Sequence, residues 1–445
     1  MKRVLIVAGS DSGGGAGIQA DLKTVSAFGV WGSTAITALT AQNTRGVAGI
    51  HTVPPEFVAA QIAAVLDDIG ADAVKTGMLA DAAIVACVAE AVANAGPVVV
   101  DPVMVAKGGA RLLAEEAVDA VRRKLLPAAT LVTPNIPEAE VLGGAPVRTI
   151  EDMECAGRKI CMLGARAVLV KGGHLEGDVV TDVLVEGSMV TRFSHERIRT
   201  RNTHGTGCTL SAAIAAQLAL GRDLATSVAE ARAYVHVAMR AGPAIGGGNR
   251  PLGHFAPLWR DAERHRVIAA LERGLRELCA LPFAELVPEV QSNFAYALPL
   301  AEGPADVAAF PGRIVRVGTT VAAVRGPSFD ASRHCARIVL TVMRYDPEYR
   351  ACLNIRYGKD VISCMRAAGL QCAAFDRRME PSEVKEREGS TLEWGTDFVL
   401  KNAATIPDAI YDEGDMGKEP MVRVLGRSPA EVVAKIARFI SGDSH

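Results

Sequence analysis

Between residue 3 and about residue 245 the chain alternates short, β-rich apolar runs with longer segments whose apolar positions recur at helical spacing. "RVLIVA" (3–8), "ADAVKTG" (71–77), "PVVVDPV" (97–103), "TLVTPN" (130–135) and "RAVLVKGG" (166–173) predict buried strands. "PPEFVAAQIAAVLDDIG", "DAAIVACVAEAVANAG" and "EDMECAGRKICMLG" predict helices that glycine closes. Such alternation implies an α/β fold, a mostly parallel sheet flanked by helices on both faces. "DVVTDVLVEGSMVTRF" breaks the pattern and predicts a hairpin turning at Glu186–Gly187, with helices at roughly 207–220 and 223–241 beyond it.

"GPAIGGGNRPLGHFAP" (242–257) then interrupts the pattern with glycine and proline, which marks a domain boundary. "RDAERHRVIAALERGLRELCA" follows as an amphipathic helix able to tether a second unit. The predicted division is a first domain over 1–257, a linker and tethering helix over 258–284, and a smaller mixed α/β domain over 285–445. In the latter, helices are expected near 331–345 and 359–368, strands at "ACLNIRYG", "QCAAFD" and "MVRVLG", and a closing helix at "SPAEVVAKIARFI".

Composition fits that division. At 445 residues the chain exceeds the length at which one core keeps growing. A net charge of -2 gives no basic field for nucleic acid or an anionic membrane. It leaves phosphate-bearing ligands open, because those need local donors. The start "MKRVLIVAGSDSGGG" reads as a first buried strand, and no apolar run reaches membrane-spanning length. Nine cysteines without a CxxC pair are simplest to explain as reduced thiols in a cytoplasmic protein.

Loops after the strands of a parallel sheet are where ligands bind. Four are chemically loaded. "AGSDSGGGAGIQAD" (8–21) is glycine-rich but matches neither the dinucleotide nor the Walker pattern, and a tight turn explains it equally well. "NTHGTGCTLS" sets Gly205, Thr206 and Gly207 at a helix start, where unpaired amides suit a transferring phosphoryl group. "TPNIPEAE" sets Asn135 three residues before Glu138, able to orient magnesium-bound water near ATP phosphates or to form a plain helix cap. In "VLVKGGH", Lys171 ends a strand before two glycines, placed for a phosphate or simply exposed. Cys208 alone would more often be a small core residue than a reactive thiol.

"AGSDSGGGAGIQADLKT", "ITALTAQNTRGV", "KTGML", "TPNIPEAE", "VKGGH" and "HGTGCTLSAAIA" closely resemble hydroxymethylpyrimidine phosphate kinases of the ribokinase-like superfamily, over residues 1 to about 257. The resemblance implies Mg-ATP-dependent phosphorylation of 4-amino-5-hydroxymethyl-2-methylpyrimidine and then of its monophosphate. It assigns Gln42 to the pyrimidine edge, Asp21 to the same pocket, and Gly205 to Cys208 to the anion hole. Many ribokinase-like sugar kinases carry aspartate where this sequence has Cys208. A helix N-terminus lowers a thiol's pKa, so a Cys208 thiolate is expected to accept the substrate's proton. Pyridoxal kinase, which shares the fold, is the alternative; "AQNTRGV" favours the pyrimidine.

The second half is less explicit. "FPGRIVRVG" brings Arg313 and Arg316 to a strand, "GPSFDASRHCARIVLTVMRYD" sets His334 in a first helical turn, and "YDEGDMGKEPMVRVLG" carries Lys418 in an acidic loop. Those residues suggest an anion pocket or a solvated face. "QSNFAYALP", "FPGRI", "RHCARIVLTVMRYDP", "AFDR", "EWGT" and "DAIYDEGDMGKEPMVRVLG" resemble the thiamine-phosphate synthase domain found fused to this kinase. The resemblance implies that Arg313 and His334 serve the coupling of pyrimidine diphosphate to thiazole phosphate. Similar domains sense thiamine phosphates beside DNA-binding modules, but no such module is visible here. The expected partners are therefore small molecules, with neither nucleic acid nor membrane, and a homo-oligomer is compatible with the sequence.

Overall fold

The computed structural model describes residues 1–105, 112–114, 116–381, 390–415 and 418–441. The chain forms two compact units, Met1–Leu258 and Trp259–His445.

The first unit is built on a nine-stranded sheet of order β3-β2-β1-β4-β5-β6-β7-β8-β9. Its parallel centre is β2 (Trp31–Asn43), β1 (Arg3–Asp11), β4 (Ala73–Thr76), β5 (Val98–Val100), β6 (Leu131–Val132) and β7 (Ala167–Val170). Antiparallel strands close both edges: β3 (Gly46–Thr52) on one, β8 (Val179–Glu186) and β9 (Met189–Glu196) on the other. The five expected strands are present. The β8–β9 hairpin turns where expected, with Glu186 opposite Met189 and Gly187 at a φ of 58°.

Period-2 alternation divides the core. Leu5 and Val7 of β1 face one apolar layer, where α2 (Pro55–Asp68), α3 (Ala82–Val92) and α6 (Ile150–Met162) contribute Val58, Ile62, Ile84, Val88, Met153 and Ile160. Val4, Ile6 and Ala8 face the other, made by α1 (Gly17–Ala27), α7 (Thr206–Ala219) and α8 (Leu224–Arg240). The single turn α4 (Ala117–Ala120), which runs on as a π-helical turn over Val121–Leu125, and α5 (Ile136–Gly143) lie between α3 and α6 in the chain. Sheet residues buried on both sides explain why the central strands read as continuous apolar runs.

The second unit holds a seven-stranded sheet of order β16-β13-β12-β17-β20-β19-β18. These strands are β16 (Ser328–Phe329), β13 (Val307–Ala309), β12 (Phe294–Ala297), β17 (Ala351–Arg356), β20 (Met421–Gly426), β19 (Ala409–Asp412) and β18 (Cys372–Ala374). All neighbours are antiparallel except β18 and β19. A separate ribbon pairs β14 (Ile314–Val317) with β15 (Thr320–Ala323). One face packs on α9 (Ala256–Cys279), α11 (Lys359–Ala367) and α13 (Pro429–Ile440), the other on α10 (Arg333–Met343) and α12 (Ser390–Asn402). Val267, Leu271 and Leu278 of α9 enter this unit's core. The remaining short strands are β10 (Asn202–His204) and β11 (Arg250–Pro251) of the first unit, paired in parallel.

Candidate active site

In the first unit, the strand ends of β1, β4, β5, β6 and β7 open on a cavity of about 890 Å³. Gln42, Asn135, Glu138, Lys171 and Gly205 to Cys208 all line it, so residues 166 positions apart in sequence meet in one cleft. This is the position a parallel sheet reserves for ligands.

Gly205 caps α7 at a φ of 84°, and a Cβ there would stand 1.8 Å from the Gly15 carbonyl oxygen. Only glycine fits this turn. It starts a 14-residue helix whose first amides have no helical acceptor, a ready anion site. Beside it, Lys171 Nζ lies 3.0 Å from Asp101 Oδ1, and a Cβ on Gly207 would stand 3.2 Å from that ammonium. Ser211 Oγ holds the other oxygen of Asp101 at 3.4 Å. A cation and a ring of amides therefore face one point, which is what a migrating phosphoryl group requires.

Asn135 and Glu138 form a complete capping box. Asn135 Oδ1 accepts from the Glu138 amide at 3.0 Å, and Glu138 Oε2 accepts from the Asn135 amide at 2.8 Å. The pair is thus a helix cap that also lines the cavity. Burial pushes the Glu138 carboxyl up to about 7, opposed by Lys171 and reinforced by Asp101.

The glycine-rich loop has a different task from phosphate binding. Its amides turn inward on Asp11: Gly13 donates to Oδ1 at 2.8 Å, and Gly15 and Ala16 donate to Oδ2 at 3.1 and 2.8 Å. Burial pushes the Asp11 carboxyl up, but hydrogen bonds from His204 and these amides outweigh it and leave the group below its ordinary range. Gln42, at the end of β2, has its Nε2 3.4 Å from His204 Nε2 and its Oε1 3.1 Å from Thr40 Oγ1.

Two expectations need correction. Asp21 does not line the cavity: it is fully buried on α1, with Oδ2 2.7 Å from Lys75 Nζ. Nor does the helix start lower the Cys208 thiol. Burial pushes it up to about 11; Lys75 pulls it down, while Asp21 and Asp101 push it further up. Desolvation beside two carboxylates outweighs the helix dipole and one nearby ammonium.

In the second unit, Arg313 is exposed, takes a φ of 71°, and donates from its guanidinium to the Val290 carbonyl. His334 is the exposed second residue of α10, which Ser332 caps. Arg313 and Arg423 both act electrostatically on the buried Cys335 thiol, so their charges reach the first turn of this helix. Lys418 is exposed, its amide donating to the Asp415 carbonyl at 2.8 Å.

Sequence reading passed over Asp11, Lys75 and Asp101. Each left a signal: an aspartate before three glycines, a lysine inside an apolar strand, and an aspartate directly after "VVV". It also passed over Arg377, Asp412 and Arg423, a buried cluster in which Asp412 bonds both guanidinium groups at 2.6 and 2.7 Å.

Fold and site together define a small-molecule kinase of ribokinase-like architecture. The phosphomethylpyrimidine kinase sequence profile matches residues 11–253, and the chain belongs to that family. The profile of the thiamine-phosphate synthase ThiN matches residues 270–438. The thiamine biosynthesis bifunctional protein ThiED of Geobacter sulfurreducens is 54% identical over 254 residues, covering 57% of this chain but only 52% of that protein. The chain thus spans about half the length of that relative. The hydroxymethylpyrimidine/phosphomethylpyrimidine kinase of Rhizobium meliloti is 50% identical, over 58% of this chain and 98% of its own. Among solved structures, the pyridoxal kinase of Bacillus subtilis in an ADP complex is 37% identical with a TM-score of 0.54, over 58% of this chain and 99% of that one. The Staphylococcus aureus pyridoxal kinase with AMP-PCP and pyridoxal is 35% identical with the same TM-score, over 58% and 94%. Kinase ancestry carries ATP use with it. Among the described residues no helix is long and apolar enough to cross a membrane.

Proposed function

We propose that the first unit transfers the γ-phosphoryl group of ATP to 4-amino-5-hydroxymethyl-2-methylpyrimidine and then to its monophosphate. The second unit then joins the diphosphate to thiazole phosphate, releasing pyrophosphate and forming thiamine phosphate. The observation that carries the kinase step is the meeting of Lys171 with the glycine start of α7, opposite Gln42, in one cavity.

The chemistry follows from those positions. The pyrimidine's donor–acceptor edge suits the Gln42 carboxamide. The hydroxymethyl oxygen attacks the γ-phosphorus, the bond to the bridging oxygen of ADP breaks, and the hydroxyl proton passes to solvent water. Charge on the moving group is balanced by Lys171 and the amides of Thr206, Gly207 and Cys208. Among the described residues no three His, Cys, Asp or Glu side chains gather as a metal cage. Glu138 and Asp101 fit the other mode of magnesium binding, an ion carried mainly by phosphates with carboxylate help through water. Magnesium would supply charge neutralisation there.

The identity comparison favours the pyrimidine over pyridoxal, since the pyrimidine kinase of Rhizobium meliloti stands at 50% and the pyridoxal kinases at 35–37%. For the second unit, Arg313 and His334 beside the start of α10 are suited to a departing pyrophosphate. The test is to incubate the full chain with pyrimidine alcohol, ATP, magnesium and thiazole phosphate, omitting each in turn. Thiamine phosphate should form only in the complete mixture, and pyrimidine diphosphate should accumulate without the thiazole. Pyridoxal turnover faster than pyrimidine turnover would overturn the substrate assignment.

A further inference from the structure

The turn that follows Lys171 is gripped from the β8–β9 hairpin. A Cβ on Gly172 would stand 1.9 Å from the Thr181 carbonyl oxygen, so only glycine lets the turn lie this close to β8. The next residue of β8, Asp182, accepts from the Gly172 amide at 2.9 Å through Oδ1 and from Arg232 Nε at 2.7 Å through Oδ2. Arg232, on α8, lies over the Phe193 ring and brings its Nη2 to 2.6 Å from His195 Nδ1. A guanidinium only donates, so Nδ1 accepts, and the imidazole is neutral with its proton on Nε2. From the other side Arg197 donates to the carbonyls of Gly173 at 3.0 Å, Gly177 at 2.7 Å and Leu175. Asp182, His195, Arg197 and Arg232 all line the cavity. In the sheet, β8 and β9 lie beyond β7 toward one edge, whereas β2, which carries Gln42, lies toward the other. With the pyrimidine at Gln42 and the moving phosphoryl group at Lys171, the nucleotide has the β8–β9 side of the cavity.

We propose that Asp182, tied through Arg232 to a neutral His195, is a positioning residue: it fixes the turn after Lys171 for the phosphates of the nucleotide, and the tie opens when His195 takes a proton. This rests on the kinase reading for its effect on nucleotide affinity, but the fixing of the turn can be measured without it. The groups facing His195 are Arg232 and the imidazole of His236 on α8, Asp182 on β8, and Arg197 just past its own strand. Burial and then Arg232 hold His195 below the ordinary imidazole range, with His236 and Arg197 adding to this and Asp182 opposing it. A proton placed on Nδ1 removes the acceptor and sets an imidazolium against a guanidinium 2.6 Å away. The guanidinium is then pushed from its place between Phe193 and Asp182, and Asp182 loses the partner that orients it toward Gly172.

The experiment uses the full chain. It measures hydrogen exchange of the peptide spanning residues 172–177, and the KM for ATP and for the pyrimidine alcohol, between about pH 5 and pH 8. At neutral pH, Asp182→Asn should speed exchange of the turn and raise the ATP KM about tenfold, while the pyrimidine KM stays within about twofold. In wild type the ATP KM should be flat near neutrality and rise about tenfold toward pH 5. His195→Asn offers Arg232 a carboxamide oxygen that does not titrate. It should keep the neutral ATP KM within about threefold and lose the acid rise. Titration of ATP itself is common to both proteins and cancels in that comparison. If Asp182→Asn fails to fold, His195→Asn carries the test alone. An acid rise that persists in His195→Asn, an equal rise in both KM values, or unchanged exchange of the turn in Asp182→Asn would overturn the proposal. Exchange that responds as expected in a chain that turns over no pyrimidine would instead leave the fixing of the turn intact and refute the kinase reading.

Discussion

His204 Nε2 lies 2.9 Å from Asp11 Oδ2, so the histidine just before the α7 turn is pinned by the carboxylate that ends β1. Asp11 is held as a carboxylate, and a carboxylate only accepts, so the proton between them belongs to His204 Nε2. That nitrogen then has no lone pair for Gln42, whose Nε2 stands 3.4 Å away. The carboxamide N–H groups of Gln42 therefore stay available to a ligand in the cavity. One aspartate thus fixes both the glycine-rich loop and the histidine.

Gln42→Ala is accordingly expected to weaken the pyrimidine selectively. Losing hydrogen bonds on one substrate edge costs about 1–3 kcal/mol, roughly 5- to 150-fold in pyrimidine KM. The ATP KM should stay within about twofold, because the phosphate-binding groups belong to other strand ends. Steady-state kinetics with each substrate varied would check this, and an equal loss for both substrates would refute the assignment.

The first unit should also carry an acid-sensitive stability term at His254. Its side chain is buried with Nε2 3.0 Å from Thr209 Oγ1, and burial, helped by Lys23, pushes its pKa down to about 4. Because the unfolded side chain binds its proton near 6.5, the native state alone stays neutral between those values. The stabilisation is complete above about pH 6.5, declines as pH falls, and is exhausted near pH 4. The expected loss is about 3 kcal/mol. Urea unfolding at graded pH should show this slope in wild type and a shallower one in His254→Leu.

How far these features could be read in advance depended on which physics each segment obeyed. Central strands such as "RVLIVA" and "RAVLVKGG" announced themselves because both faces are buried and every position is apolar. β2, "WGSTAITALTAQN", did not, because its exposed Leu39 and buried Thr37 and Thr40 run against simple alternation, and antiparallel β3 has mostly exposed residues. In the second unit, β13 and β16 span three and two residues, too short for any period to emerge. At the site, turn chemistry exposed Gly205 and Asn135 early. Asp21 was misjudged because its partner Lys75 lies 54 residues away along the chain, and Cys208 because the burial and the carboxylates of Asp21 and Asp101 that push its thiol up come from segments far from it in sequence.

The second unit's buried cluster offers a stability test. Asp412 is completely buried between Arg377 and Arg423, and also accepts from the Gly414 amide at 3.0 Å. Asp412→Ala strands two buried guanidinium groups and should cost about 3–5 kcal/mol. Replacing all three (Arg377→Met, Asp412→Leu, Arg423→Met) should recover most of that loss, since no charge then remains to be desolvated. Differential scanning calorimetry would follow the second unit's transition. A single variant as stable as wild type would show that water reaches the arginines.

The strongest test of the paired activities uses substitutions in the full chain. In the proposed reading phosphoryl transfer would draw on the start of α7 and Lys171, and pyrophosphate release on Arg313 and His334 around α10. The two steps stabilise different leaving charges, so each needs its own donors. His334→Ala or Arg313→Ala should therefore abolish thiamine phosphate while pyrimidine diphosphate accumulates. Lys171→Ala should do the converse, stopping diphosphate formation but leaving thiamine phosphate production intact when diphosphate is supplied. Chromatography of the products from both variants, with and without added diphosphate, would decide. A second unit that only senses its ligand would bind thiamine phosphate in the wild type yet make none from supplied diphosphate. Loss of both activities in either variant would mean that the two sites do not act independently.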